Sequence, residues 1–235
     1  MNRRDFLCTA GAAGALFAAG RFSRHTAADA RSAAPGERAQ IAITLDLEMS
    51  RNFPTWETTH WDYEKGNLDA DTKAYSVEAA RRVREKGGVI HFFCVGRVLE
   101  QENVDWLKRL AADGHKIGNH TYDHVYVLAK KPEEVQFRFT RAPWLMRGKA
   151  PADVIADNIR MTTEALKTRA GIDAAGFRTP GGFSTGLEGR EDVQRILLDQ
   201  GFTWCSSKYP PHANSKEGER PKQDVFDDIV KKQAA

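Results

Sequence analysis

The sequence predicts an α/β domain built on a sheet of parallel strands. Short apolar segments rich in β-branched residues alternate with segments of helical periodicity, which is the pattern of repeated βαβ units. Five strand segments can be recognised, whereas a closed (β/α) barrel needs about eight. We therefore expect an incomplete barrel that is open on its C-terminal side, or a longer parent chain that continues beyond Ala235.

The predicted strands are short buried segments, as expected for a parallel sheet. They span residues 41–45, 89–95, 116–118, 175–178 and 202–206. Helices are predicted from an N-cap at Asp69 or Asp71 to about Lys86, and over roughly 103–113, 151–169, 191–200 and 225–232. The segments 49–67 and 125–149 are expected to be irregular.

The first thirty residues predict an export signal rather than part of the domain. The pair Arg3-Arg4 precedes a small, apolar run over residues 8–20, and residues 28–30 form a small-x-small cleavage pattern. The run is too short to span a bilayer stably. We expect export by the twin-arginine translocation machinery to the periplasm or the exterior. Residues 31–38 are predicted to be a linker, 39–207 the domain and 208–235 a polar C-terminal segment.

Charge and cysteine content exclude several classes of protein. Removing residues 1–30 takes away four arginines and two aspartates, so the net charge falls from +3 to about +1. A nearly neutral domain has no electrostatic footprint for nucleic acid or for an anionic membrane. The remaining cysteines, Cys94 and Cys205, lie in apolar segments, and two free thiols are favoured over a disulfide.

Two carboxylates and two histidines predict a metal site at the strand ends. Asp46 and Glu48 follow the first strand two residues apart, so both can face one cavity while Leu47 packs away from it. His120 and His124 converge on one point if their backbone makes a helical turn. Two imidazoles and one carboxylate suit Zn²⁺, with Co²⁺, Ni²⁺ and Fe²⁺ as alternatives, and leave room for water and substrate. A pair of surface acids and a surface turn are the structural alternatives.

The fourth strand segment leads into a second group of candidate residues. Arg178 stands at its end, and its guanidinium could hold a carboxylate, Asp46 above all. The turn that follows contains Pro180 and Gly181, which we assign with Trp204 to substrate binding. For Trp204 a place in the core is favoured over an apolar wall for a small acyl group. The aromatic residues between 53 and 63 could equally stack on sugar rings or pack their own loop. His91 and His115 carry no predicted role.

Three motifs of the sequence resemble those of the NodB-type polysaccharide deacetylases, carbohydrate esterase family four. The segments ITLDLE, GHKIGNHTYDH and FRTPGG stand in the family's order, and the resemblance covers residues 41–207. It implies a distorted (β/α) barrel with a divalent metal, usually zinc, that hydrolyses N- or O-acetyl groups of an acetylated glycan. By resemblance, Asp46 is the general base, His120 and His124 bind the metal, and Arg178 orients the base.

The sequence departs from the family pattern at two places. The commonest first motif has a second aspartate as metal ligand, and Leu47 occupies that position here; the resemblance then makes Glu48 the ligand. The family's Leu-x-x-His, which supplies the general acid, is absent, and His212 lacks its context. A catalytically impaired glycan-binding protein and a metal-independent hydrolase of small amides are therefore the alternative functions.

Overall fold

Five parallel strands form one curled sheet in the part of the chain that the structure describes. The computed structural model describes residues 41–50, 60–213, 216 and 218–234. The strands are β1 (Thr44–Leu47), β2 (His91–Cys94), β3 (Lys116–Asn119), β4 (Phe177–Phe183) and β5 (Cys205–Lys208), in the spatial order β1-β2-β3-β4-β5. The sheet is an open half-barrel, which confirms the predicted incomplete barrel. The predicted export signal and linker lie outside the described residues, as do Phe53 and Trp56.

Two strand boundaries differ from the prediction. Strand β1 begins later and runs through Asp46, because the backbone of Asp46 pairs with Phe93 while its carboxylate points to the concave face. Strand β4 does not break at Thr179 but continues to Phe183. The pairing with β5 shifts register between Arg178 and Phe183, and this irregularity accommodates Pro180, which has no N–H to donate.

The described part of the chain contains eight α-helices, several of which pack against the convex face of the sheet. They are α1 (Trp61–Glu64), α2 (Ala70–Glu85), α3 (Asp105–Ala112), α4 (Pro132–Val135), α5 (Phe137–Arg141), α6 (Pro151–Ala165), α7 (Glu191–Asp199) and α8 (Gln223–Ala234). Asp69 caps α2, as one of the two predicted alternatives, by accepting a hydrogen bond from the N–H of Thr72 at 2.8 Å. The segment predicted to be irregular, 125–149, holds the short helices α4 and α5 and a 3₁₀ turn, Pro143–Met146.

Strand β2 shows how alternation separates the two faces of the sheet. Phe92 and Cys94 point outward into the hydrophobic core beneath α2 and α3. His91 and Phe93 point to the concave face, where both rings pack edge-on against Trp204. A second core cluster joins β4 to α6 and α7. Apolar packing therefore fixes the convex side, whereas the concave side combines the rings of His91, Phe93 and Trp204 with polar groups.

The state of the two thiols agrees with the sequence-based expectation. Cys94 and Cys205 are both free. Burial raises the pKa of the Cys94 thiol to about 12, so that thiol is inert packing. Among the described residues, no helix combines the length and apolar character that crossing a membrane requires.

Candidate metal centre

A cavity of about 450 Å³ lies where the strands end on the concave face. Parallel strands bring their carboxyl ends to one edge, and side chains from β1, β3 and β4 meet there. The cavity wall includes six residues predicted for the site: Asp46, Glu48, His120, His124, Arg178 and Gly181. Residues that are far apart in sequence are therefore assembled as the motifs predicted.

The two histidines converge without a helical turn, contrary to the predicted backbone. Thr121 and His124 both have φ of +58°, in the left-handed region, so the loop after β3 folds back on itself. Asn119 fixes this loop: its side-chain oxygen accepts from the N–H of Thr121 at 2.9 Å, and its amide donates to the carbonyl of Ile159 at 2.7 Å. The imidazole rings end with centroids 5.1 Å apart.

Glu48 and the two imidazoles form a compact set of candidate metal ligands. Oε2 of Glu48 lies 3.2 Å from Nε2 of His120 and 2.6 Å from Nε2 of His124. One ligand atom from each of the three residues lies within 4.8 Å of the others. Nδ1 of His120 lies 3.0 Å from the carbonyl oxygen of Arg178, and donation to that carbonyl leaves the Nε2 lone pair directed at the cavity.

Burial and neighbouring charges shift the pKa values of Glu48 and His124 toward the protonation states that bind a cation. Burial alone would raise the pKa of Glu48, but in the metal-free protein its contacts with the imidazoles of His120 and His124 and the charge of Lys65 hold the pKa of this carboxyl well below its usual range. Burial lowers the pKa of His124, so its neutral, ligating form is favoured. An ionised carboxylate and two imidazoles are the donor set of open zinc sites, and the residues present therefore fit a divalent metal.

Arg178 contacts Asp46 as predicted, and it also bonds to Thr44 on the same strand, β1, and to Ser206 on β5. Its Nη1 donates to Oδ1 of Asp46 at 2.8 Å, its Nη2 to Oγ1 of Thr44 at 2.9 Å, and its Nε to Oγ of Ser206 at 3.1 Å. The guanidinium carbon lies 4.2 Å from the centre of the Phe93 ring. These contacts hold Asp46 in one orientation beside the candidate metal ligands.

The predicted substrate-binding residues are not all at the cavity. Gly181 belongs to its wall, whereas Pro180 and Trp204 are absent from the wall that the described residues form. Trp204 packs over Gly176, where a Cβ would lie only 2.1 Å from the indole. Strand β5 and the residue after it supply wall residues that the sequence did not single out, Ser206, Ser207, Lys208 and Tyr209. His212 is exposed and does not line the cavity.

Lys65 is a further site residue that the sequence reasoning missed. Its ammonium lies 2.7 Å from Oε1 of Glu48, and its side chain is 1 % exposed. No sequence motif singles out Lys65, because its partner Glu48 lies 17 residues away in the chain. Only the tertiary structure brings the two together.

A comparison with protein-family models matches residues 63–188 to the polysaccharide deacetylase family. The match covers more than half of the chain. This chain belongs to that family. The matched residues include His120, His124 and Arg178, while Asp46 and Glu48 precede them. A comparison with curated proteins found no match.

Solved structures of the same family resemble the chain distantly. A CE4 family pseudoenzyme from Bacillus anthracis is 17% identical with a TM-score of 0.43; the alignment covers 70% of this chain and 42% of that one. IcaB from Ammonifex degensii is 18% identical (TM-score 0.42, 72% and 71% covered). A Streptococcus mutans CE4 esterase is 19% identical (TM-score 0.41, 70% and 56% covered). The chain thus spans less than half of the Bacillus anthracis protein.

Proposed function

We propose that this chain is a metal-dependent hydrolase that removes acetyl groups from an acetylated polysaccharide of the chitin or peptidoglycan kind. The bond that it hydrolyses would be the carbon–nitrogen bond of an N-acetyl group or the ester bond of an O-acetyl group, and not a peptide bond. One observation carries the proposal: Glu48, His120 and His124 gather three ligand atoms within 4.8 Å of one another, in the same cavity as Asp46 and Arg178. Membership of the deacetylase family supports the same chemistry.

Glu48, His120 and His124 would hold the cation, for which we propose Zn²⁺, with Co²⁺, Ni²⁺ or Fe²⁺ as alternatives. Bound there, a divalent cation would polarise the acetyl carbonyl and lower the pKa of a water molecule. Asp46 would accept the proton of the attacking water. Arg178 occupies Oδ1 of Asp46, and among the described residues none donates a hydrogen bond to Oδ2, so this second oxygen is available for the proton.

Acetate release tests this proposal directly. We expect the metal-loaded wild type to release acetate from acetylated chitooligosaccharide or from acetylated peptidoglycan. Asp46→Asn should lower the rate by about 10²–10⁴-fold while the metal content, measured by atomic absorption, stays unchanged. The matched control is Asp199→Asn, an exposed aspartate on α7, and it should retain full activity. Full activity in Asp46→Asn would remove Asp46 from the role of base.

The alternative function is glycan binding without turnover. The leaving nitrogen or oxygen needs a proton, and the group that would supply it is not identified among residues 1–235. Metal content together with glycan binding, but without acetate release, would support this function. Acetate release that persists after the metal has been removed by a chelator would instead support a metal-independent hydrolase.

We further propose that the protein is exported through the twin-arginine pathway. The pair Arg3-Arg4 and the short apolar run after it support this proposal. Fusing residues 1–38 to a reporter that is active only after export of the folded protein tests it. Replacing both arginines by lysine should abolish export, and unchanged export would refute the assignment.

A further inference from the structure

Lys65 is charged, long and almost completely buried. Its side chain is 1 % exposed, and its ammonium lies against the carboxylate of Glu48. Removing an ammonium from water is strongly unfavourable unless it is paired and hydrogen-bonded, so a buried lysine at this place needs a partner. The cavity residue Glu48 is a partner that the structure shows.

The loop that carries Lys65 is fastened to the end of β1. The N–H of Gly66 donates to the carbonyl of Glu48 at 2.7 Å. Oγ of Ser50 donates to the carbonyl of Asn67 at 2.8 Å and accepts from the N–H of Asp69 at 2.7 Å. These three bonds place Lys65 beside Glu48 before any side-chain contact is considered, so the ammonium is preorganised.

Gly66 makes this placement specific. Its φ is +87°, and a Cβ at this position would lie 2.4 Å from Cβ of Arg97. The loop can therefore approach the 3₁₀ turn Gly96–Glu100 only with glycine at position 66. This close approach fixes the direction in which Lys65 leaves the backbone.

The two oxygens of Glu48 have different neighbours. Oε1 accepts from the ammonium of Lys65 at 2.7 Å, while Oε2 faces Nε2 of His120 and of His124. We infer that Lys65 is a positioning residue: it occupies Oε1 and commits Glu48 to offer a cation one oxygen, Oε2. The inference rests on the proposed metal site. It explains how positions on the cation stay open for water and substrate, because a carboxylate that binds through both oxygens would fill one more of them.

The test is the visible absorption of Co²⁺ added to the metal-free protein, which reports the number of ligands rather than activity. Wild type should give the intense bands of four-coordinate Co²⁺. Lys65→Met has a similar volume but frees Oε1, so we expect a loss of band intensity as the coordination number rises. Lys65→Arg, which restores a cationic donor, should recover the wild-type spectrum. Lys108→Met is the matched control, since it removes an exposed lysine paired with Asp105 and should change nothing.

The outcomes separate the inference from the proposal beneath it. Wild-type protein that binds no Co²⁺ refutes the metal site and the role of Lys65 together. Co²⁺ binding with the same spectrum in wild type and Lys65→Met refutes the positioning role alone. Circular dichroism checks that each variant is folded. If Lys65→Met does not fold, Lys65→Leu, which also has no donor, takes its place, and a spectrum identical to wild type in that variant overturns the inference.

Discussion

Arg178 joins the fourth strand to the first across the concave face of the half-barrel, and we predict that its removal destabilises the fold. The perturbation is Arg178→Met, which keeps a long apolar side chain but loses every donor. The lost contacts are hydrogen bonds to Asp46, Thr44 and Ser206 and the contact with the ring of Phe93. Strands β2 and β3 lie between the two ends of this link, so it acts on the curvature of the whole sheet.

The magnitude follows from these contacts and their exposure. Side chains of Arg178 and Asp46 are 21% and 33% exposed, so their ion pair is partly screened and is given about 1 kcal/mol. The two hydroxyl acceptors add about 1 kcal/mol each. The cation–π contact adds about 0.5–1 kcal/mol. We therefore expect the free energy of unfolding to fall by about 3–4 kcal/mol in Arg178→Met.

Urea unfolding of the metal-free protein, followed by circular dichroism, measures this change. Arg178→Lys keeps the charge but not the fork of donors, so it should fall between wild type and Arg178→Met. Arg195→Met, at an exposed position of α7, is the matched control and should stay within about 0.5 kcal/mol of wild type. If Arg178→Met proves as stable as Arg195→Met, Arg178 does not hold the strands together.

Three further predictions concern the same region. Gly66→Ala should lower the free energy of unfolding by about 2–4 kcal/mol, and the control Gly87→Ala should lower it by about 1 kcal/mol. Both glycines have positive φ, but only at Gly66 would a Cβ contact another residue. Equal melting temperatures of the two variants would contradict this prediction. Burial, and then nearby positive charge, lowers the pKa of His91 to about 4. Protonation of His91 therefore disfavours the folded state, and the free energy of unfolding should fall by about 1–2 kcal/mol as the pH is lowered from 6.5 to 4. His91→Gln should flatten that part of the pH–stability curve, and an unchanged slope would exclude His91 as its source. Glu48→Ala should lower the metal-free stability by about 3–5 kcal/mol because it removes the carboxylate that lies 2.7 Å from the buried ammonium of Lys65. Adding Lys65→Met should restore most of this loss, and additive losses would show that the two residues are not coupled.

Much of the fold could be predicted because local chemistry encodes it. The alternation of apolar strand segments with helical segments predicted the order of the elements. Signals such as the cap at Asp69 predicted the bounds of the main helices to within a few residues of those observed. Strand ends were less well predicted. Asp46 remains in β1 although it is charged, and β4 passes through Pro180, because pairing with neighbouring strands overrides the local preference of a residue.

The candidate site, like the fold, could be predicted from the sequence only in part. From the sequence we could predict His120 and His124 as candidate metal ligands and Asp46 as the partner of Arg178, because parallel strands bring their carboxyl ends to one edge of the sheet. The choice of Glu48 as the third candidate ligand came from the family resemblance. Only the tertiary structure decided how the histidines converge, through two left-handed residues, and that Lys65 is buried against Glu48. Those features depend on how distant segments of the backbone pack together and on which charged side chains become buried. A local pattern of residues specifies neither of them.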